Sequence, residues 1–186
     1  MIDCQERLRD RFLFALLAST GVRIGQVLGL RHEDVVAWER RIVIRAREGA
    51  PRRVRSKGGA EGGVPLAPEL MRLWSDYMHE EYGDLDCDFV FVNLWAGQVG
   101  RPLSYSNVDR IVERTRRKVG FRFTAHELRH TYATLAYRDG VQLEVIGALL
   151  THRSPSSALI YTHPTAEHLR SVLAERGVLG KVADLI

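Results

Sequence analysis

The sequence is poor in cysteine and has no long apolar run. Its two cysteines, Cys4 and Cys87, have no metal-ligand spacing, which excludes a disulfide framework and predicts free thiols in a reducing cytoplasm. No apolar stretch approaches the roughly 20 residues that a helix needs to cross a bilayer, so no membrane segment is predicted. The N-terminus is charged from Asp3 onward, which excludes a signal peptide. Without repeats or linkers, the 186 residues are expected to form one domain.

Lysine is also scarce, because it occurs only at positions 57, 118 and 181, and arginine carries most of the positive charge. The net charge of +4 is weak evidence for any partner, but its distribution says more. Basic residues concentrate in segments 40–57 and 110–122, and segment 69–88 between them is acidic. This pattern predicts one basic and one acidic face, as in proteins that bind nucleic acid. The alternative is a solvated surface from an arginine-rich proteome.

Hydrophobic spacing predicts a mainly α-helical domain with a small antiparallel β-sheet (α+β). Ser104 and Thr124 are expected to cap helices that Gly120 and Gly140 end, with Leu128, Tyr132 and Leu135 along the second of these helices. Residues 88–93 are expected to be extended or a short buried segment. Strands are predicted at 41–46 and 64–66, and helices at 3–19, 24–30, 68–82, 104–119, 124–139, 141–150, 155–161 and 165–176.

Four separated motifs carry the functional information. They are Ser-Thr-Gly-Val-Arg-Ile at 19–24 with Leu-Gly-Leu-Arg at 28–31, His-Glu-Leu-Arg-His-Thr-Tyr-Ala-Thr at 126–134, Leu-Leu-Thr-His-Arg-Ser at 149–154, and Ile-Tyr-Thr-His at 160–163. In order and spacing they resemble the tyrosine recombinases of the phage-integrase family, above all the integrases and transposases of bacterial mobile elements. The resemblance extends from about residue 8 to residue 170.

The resemblance implies a site-specific recombinase that cleaves and rejoins DNA through a 3′-phosphotyrosine, without a metal or nucleotide cofactor. Two arginines would clamp the nonbridging phosphate oxygens in place of a metal ion. A lysine after the sheet strand would protonate the departing 5′ oxygen. The implied catalytic residues are Arg23, Lys57, His126, Arg129, His152 and the nucleophile Tyr161.

The histidines have less defined roles. His126 lies three residues before Arg129 and would contact the phosphate or help to accept the tyrosine proton. His152 occupies a family position where tryptophan also occurs, which favours hydrogen bonding and packing. His130 lies about 100° round the helix from Arg129, and it is expected to be buried and hydrogen-bonded, not catalytic.

The resemblance also implies double-stranded DNA as the partner and a homotetramer on that DNA. Residues 1–176 would be the catalytic domain, with no N-terminal clamping domain in this chain. Residues 177–186 would be a tail that docks on a neighbouring protomer, although the apolar C-terminal segment could instead fold back on its own domain. The predicted DNA contacts are Arg45, Arg52, Arg53, Arg55, Arg114, Arg117 and Lys118.

Two positions depart from the family pattern, and two rival functions stay open. Gln26 stands where the family usually has an acidic residue, and Thr151 stands where it usually has glycine. His126 to His130 also matches the His-Glu-x-x-His pattern of zinc proteases, with Glu127 as the general base. The other rival is a DNA-binding module that has lost cleavage.

Overall fold

The computed structural model describes residues 1–45, 62–150 and 166–178, and helices dominate these ranges. The predicted helix at 155–161 and the tail beyond residue 178 lie outside the described residues. None of the described helices is both long and apolar enough to cross a membrane. The helices are α1 (Leu8–Thr20), α2 (Ile24–Leu28), α3 (Pro68–Tyr77), α4 (Tyr105–Val119), α5 (Ala125–Arg138), α6 (Leu143–Leu149) and α7 (Ala166–Glu175).

Helix α1 has a cap at each end, but only one of them could be read from its local sequence. Gly21 ends the helix with φ 63°, a left-handed conformation that glycine adopts without strain. At the other end the carboxylate of Glu81 accepts hydrogen bonds from the backbone N–H groups of Leu8 and Arg9, at 2.8 and 2.9 Å. The helix therefore begins at Leu8 and not at residue 3, and the predicted start was wrong.

A three-stranded antiparallel sheet follows α2, in the order β1 (Val35–Val36), β2 (Arg41–Ile44), β3 (Gly62–Pro65). Strands β2 and β3 confirm the prediction, and Ile42 pairs with Val64. Strand β1 was not predicted, because two residues are too few to show an alternating pattern. Val43 is buried together with Ile42 and Ile44, so β2 is covered on both faces.

The first core cluster surrounds α1. Phe12 stacks on Phe91 with ring centroids 5.4 Å apart, and Tyr77 of α3 lies 6.2 Å from Phe12. Segment 90–92 is fully buried and is flanked by isolated bridges, which confirms the expectation of an extended or buried stretch. Helix α3 continues as a π-helical turn to Tyr82, the predicted end of this helix.

A second core cluster lies between α5, α6 and α7. Tyr132 and Ala136 of α5 pack with Ile146 of α6 and with Leu169 and Leu173 of α7. Leu135 lies on α5 as predicted, but it is outside this cluster, and its exposed fraction is 46%.

Helix α7 packs on its own domain. Besides the burial of Leu169 and Leu173, the guanidinium of Arg170 donates to the carbonyl oxygens of Glu39 and Arg40, the latter at 2.9 Å. Helix α7 therefore belongs to the packed domain, and the docking or folding back of residues 177–186 stays a prediction.

Candidate active site

Arg129 of α5 connects the segments that carry the motifs. Its side chain is nearly buried, and its Nη1 and Nη2 atoms donate to the carbonyl oxygens of Gly21 and Leu150, both at 2.6 Å. Gly21 is the C-cap of α1, and Leu150 is the C-cap of α6. Because the C-terminal end of a helix carries partial negative charge, both carbonyls suit a cation. One guanidinium therefore joins α5 to the turn before Arg23 and to the end of α6.

Gly21 is required at this turn for two reasons. Its φ of 63° disfavours any residue with a Cβ atom, and a Cβ built there would lie 2.6 Å from Cδ1 of Tyr132 and 2.7 Å from Cδ2 of Leu150. The close approach brings the Gly21 carbonyl to Arg129. The glycine of the first motif thus has a packing role that its sequence context did not reveal.

Arg23 follows at the start of α2 with an exposed side chain. Its backbone N–H donates to Oε1 of Gln26 at 3.0 Å, and Gln26 is itself buried. Gln26 therefore orients the start of α2 by hydrogen bonding, without the charge of the acidic residue that is usual at this position. Burial and, to a smaller extent, the positive charge of Arg23 together lower the pKa of Arg129 to about 10. The positive charges of Arg23 and Arg129 are therefore close enough to act on each other.

His126 and His130 form a pair on the first two turns of α5. Thr124 caps this helix by accepting a hydrogen bond from the backbone N–H of Glu127 at 3.1 Å. The Nε2 atoms of the two histidines lie 2.8 Å apart, and their rings meet edge to face with centroids 4.4 Å apart. His130 is hydrogen-bonded as predicted, but the expectation that it is buried was wrong, because residues at i and i+4 share the exposed helix face.

Three predicted catalytic residues, Lys57, His152 and Tyr161, lie outside the described residues. In the sequence, His152 follows Leu150 by two positions, so the bond from Arg129 holds the chain just before it. The structure holds Arg129 against the turn just before Arg23 and places His126 on the same helix as Arg129. The roles of all six residues stay predictions.

The predicted DNA-contacting residues that the structure describes all have acidic neighbours. Arg45 pairs with buried Asp34 at 3.1 Å, and Arg114 pairs with buried Asp10 at 2.7 Å. These distances show that carboxylates of the same domain neutralise both arginines. The charge pattern along the sequence did not reveal these pairs. The remaining pairs are Lys118 with Glu6 at 2.6 Å and Arg117 with Glu113 at 3.4 Å, while Arg52, Arg53 and Arg55 lie outside the described residues.

Metal ligands are sparse in the described ranges. Within residues 1–45, 62–150 and 166–178, no group of three or more histidine, cysteine, aspartate or glutamate side chains is placed to hold a metal ion. Both cysteines are free thiols. A zinc protease needs a third ligand beyond a His-Glu-x-x-His pair, and the described part of this chain supplies none.

Sequence comparisons support the resemblance. Residues 1–168 match the family described as the phage integrase family. The chain is 34% identical over 173 residues to transposase A from transposon Tn554 of Staphylococcus aureus, covering 92% of this chain and 48% of the relative. It is 29% identical over 175 residues to tyrosine recombinase XerA of Pyrococcus furiosus, covering 94% of this chain and 57% of the relative. The chain spans about half the length of these curated relatives.

Solved structures show the same fold. The crystal structure of XerA recombinase matches with a TM-score of 0.66 and 29% identity, covering 90% of this chain and 58% of that chain. XerH recombinase bound to its difH substrate matches with a TM-score of 0.65 and 23% identity, covering 95% of this chain and 48% of that chain. The predicted fold, a mainly helical domain with a small antiparallel sheet, is confirmed.

Proposed function

The chain belongs to the phage integrase family, and we propose that it is the DNA breaking and rejoining domain of a site-specific recombinase. In the proposed reaction the Tyr161 hydroxyl attacks a phosphodiester of double-stranded DNA. A 3′-phosphotyrosine forms, and a 5′-hydroxyl leaves. A 5′-hydroxyl of a second strand then attacks the phosphotyrosine and releases Tyr161. Because each step exchanges one phosphoester bond for another, no nucleotide is consumed. The positive charges of Arg23 and Arg129 would stabilise the phosphate in place of a metal ion.

The hydrogen bonding of Arg129 is the observation that carries this proposal. A guanidinium has five N–H donors in one plane, and the carbonyl oxygens of Gly21 and Leu150 use two of them. The remaining donors are held in a fixed orientation, as a preorganised clamp for phosphate requires. Nearby Arg23 supplies a second positive charge, so the pair can stabilise the charge that builds up on the phosphate oxygens.

The other residues complete the proton transfers. A tyrosine hydroxyl has a pKa near 10, so it needs neighbours that accept its proton or stabilise the phenolate. In the proposal, His126 and His152 contact the phosphate and assist this step. Lys57 protonates the 5′ oxygen as it leaves.

Double-stranded DNA is the proposed substrate, and four copies of the chain are proposed to assemble on paired sites in the cytoplasm. The relatives are named as a transposase and as recombinases, and one solved neighbour is bound to its DNA substrate. The arginine-rich segments would supply the phosphate contacts.

A nicked DNA substrate tests the chemistry, because the piece with the 5′-hydroxyl diffuses away and traps the covalent complex. The wild-type protein should give an adduct that survives denaturing electrophoresis in excess EDTA. Tyr161→Phe should bind DNA without forming an adduct. Tyr137→Phe is the control, because Tyr137 is an exposed tyrosine on α5.

The outcomes separate the alternatives. An adduct at the wild-type level in Tyr161→Phe would reject the nucleophile. DNA binding with no adduct in the wild type would indicate a non-catalytic module. Activity that EDTA abolishes and zinc restores would favour metal-dependent chemistry.

A further inference from the structure

The proposed recombination chemistry does not require the contact between His126 and His130. The two Nε2 atoms lie 2.8 Å apart on the exposed face of α5. We propose that His126 and His130 form a two-ligand site for Ni²⁺ or Cu²⁺, and that an ion bound there inhibits the domain by occupying His126. The binding stands on geometry alone, whereas the inhibition rests on the proposed function.

The spacing of the nitrogens selects the kind of metal. With metal–nitrogen bonds of about 2.0–2.1 Å, two nitrogens 2.8 Å apart subtend an angle of about 90° at the ion. Octahedral and square-planar ions have ligands at this angle, and Ni²⁺ and Cu²⁺ adopt these geometries with imidazole. A tetrahedral Zn²⁺ would need the nitrogens about 3.4 Å apart, so the pair would have to open.

Helix α5 makes the pair a preformed chelate. Residues at i and i+4 lie one above the other on a helix, and Thr124 caps this first turn. The ion would replace the hydrogen that the two Nε2 atoms share, which requires both rings in the neutral form with the hydrogen on Nδ1. Since the described residues offer no third ligand, water would fill the other coordination positions.

Two features limit the affinity of this histidine pair for a metal ion. Two protein ligands bind a metal ion more weakly than the three or four of a resident site. Arg129 lies on the same helix between the two histidines in sequence, so its positive charge also opposes the binding of a cation. A DNA phosphate bound by Arg23 and Arg129 would compete with the metal ion for His126. The metal ion should therefore bind the free protein more tightly than the DNA complex.

Calorimetric titration of the tag-free protein with NiCl2, in buffer without phosphate or chelator, tests the site. The His126→Asn and His130→Asn variants should each lose about a hundredfold in Ni²⁺ affinity, because a chelate becomes a single ligand. His79→Asn, at an exposed histidine of another helix, is the matched control and should bind as the wild type does. Wild-type affinity in either His126→Asn or His130→Asn would overturn the site.

Inhibition is measured as the rate of adduct formation on nicked DNA with and without Ni²⁺. For each protein, the rate with Ni²⁺ is divided by its own rate without metal. Saturating Ni²⁺ should slow the wild type at least about tenfold, and His130→Asn should show a ratio near one. Calorimetric binding without any slowing would overturn the inhibition. A wild type that forms no adduct even without metal would reject the proposed function, whereas calorimetry would still decide the metal site.

Discussion

At the scale of single residues, Arg129 combines a structural and a proposed chemical task. Its guanidinium is held by two backbone carbonyls from segments far away in the sequence, one of them 108 residues from Arg129. A guanidinium can make both bonds and still present three donors to a phosphate in a fixed plane, whereas an ammonium group has three donors in all and no fixed plane.

We therefore expect Arg129→Lys to slow adduct formation by about 10²- to 10³-fold, as loss of one preorganised donor group does in other enzymes. Its free energy of unfolding should fall by about 1–3 kcal/mol, because a buried carbonyl loses its partner. Adduct kinetics and urea denaturation measure the two effects. Arg138→Lys, at an exposed arginine of the same helix, is the control. Wild-type adduct kinetics in Arg129→Lys would refute the clamp.

Gly21 offers a second test with an internal control. Gly21→Ala should destabilise the protein by about 2–4 kcal/mol, because backbone strain adds to the clash with Tyr132 and Leu150. Gly120→Ala has a similar positive φ but meets nothing within 4 Å, so it should cost only about 1 kcal/mol. Urea denaturation of both variants checks this difference. Equal losses would show that the contact with Tyr132 is not tight.

The sequence identified the motif residues but not the contacts between them. Arg23 and Arg129 could be assigned from the motifs in which they occur. The bonds from Arg129 to Gly21 and Leu150 could not, because they join side chain to backbone across the fold. The contact between His126 and His130 could have been found, since their spacing of four residues already predicts it.

At the scale of secondary-structure elements, local signals located most boundaries. Ser104 and Thr124 cap α4 and α5 as predicted, and Gly21 and Gly120 end α1 and α4. One helix boundary depends on a residue from elsewhere in the fold, and there the predicted position was wrong. The start of α1 depends on Glu81, which lies more than 70 residues away in the sequence.

The cap of α1 gives a prediction at this scale. Glu81→Gln keeps the shape of the side chain but removes its charge and one acceptor oxygen, so the first turn of α1 loses part of its cap. The free energy of unfolding should fall by about 1 kcal/mol. Glu80→Gln changes the exposed neighbour of Glu81 and should have little effect. Thermal denaturation compares the two variants, and equal melting temperatures would contradict the capping role.

At the scale of the whole molecule, ion pairs neutralise part of the positive charge that the sequence concentrates in its basic segments. Arg114 is tied to Asp10, which is buried and also receives Nη2 of Arg9 at 2.6 Å. Arg117 makes only a surface contact with Glu113, and its side chain is 79% exposed. Such a surface ion pair contributes little, so Arg117 can exchange Glu113 for a DNA phosphate.

Salt dependence distinguishes these two arginines. Binding should weaken with salt, with a slope of log K against log salt of about −0.9 for each phosphate neutralised. Arg117→Ala should make the slope less steep by about one such unit. Arg114→Ala should leave the slope nearly unchanged and lower the stability, because Asp10 loses a partner. Fluorescence anisotropy over a range of salt concentrations measures the slopes. An unchanged slope for Arg117→Ala would remove Arg117 from the proposed DNA contacts.

In the proposed reaction this domain joins DNA to Tyr161. The most direct measurement is to trap the wild-type protein on nicked DNA in excess EDTA, digest the DNA with nuclease and the protein with protease, and locate the attached nucleotide by tandem mass spectrometry. We expect a nucleotide linked through its 3′ phosphate to the peptide that contains Tyr161. A nucleotide on any other residue, or DNA cleavage with no attached nucleotide, would contradict it.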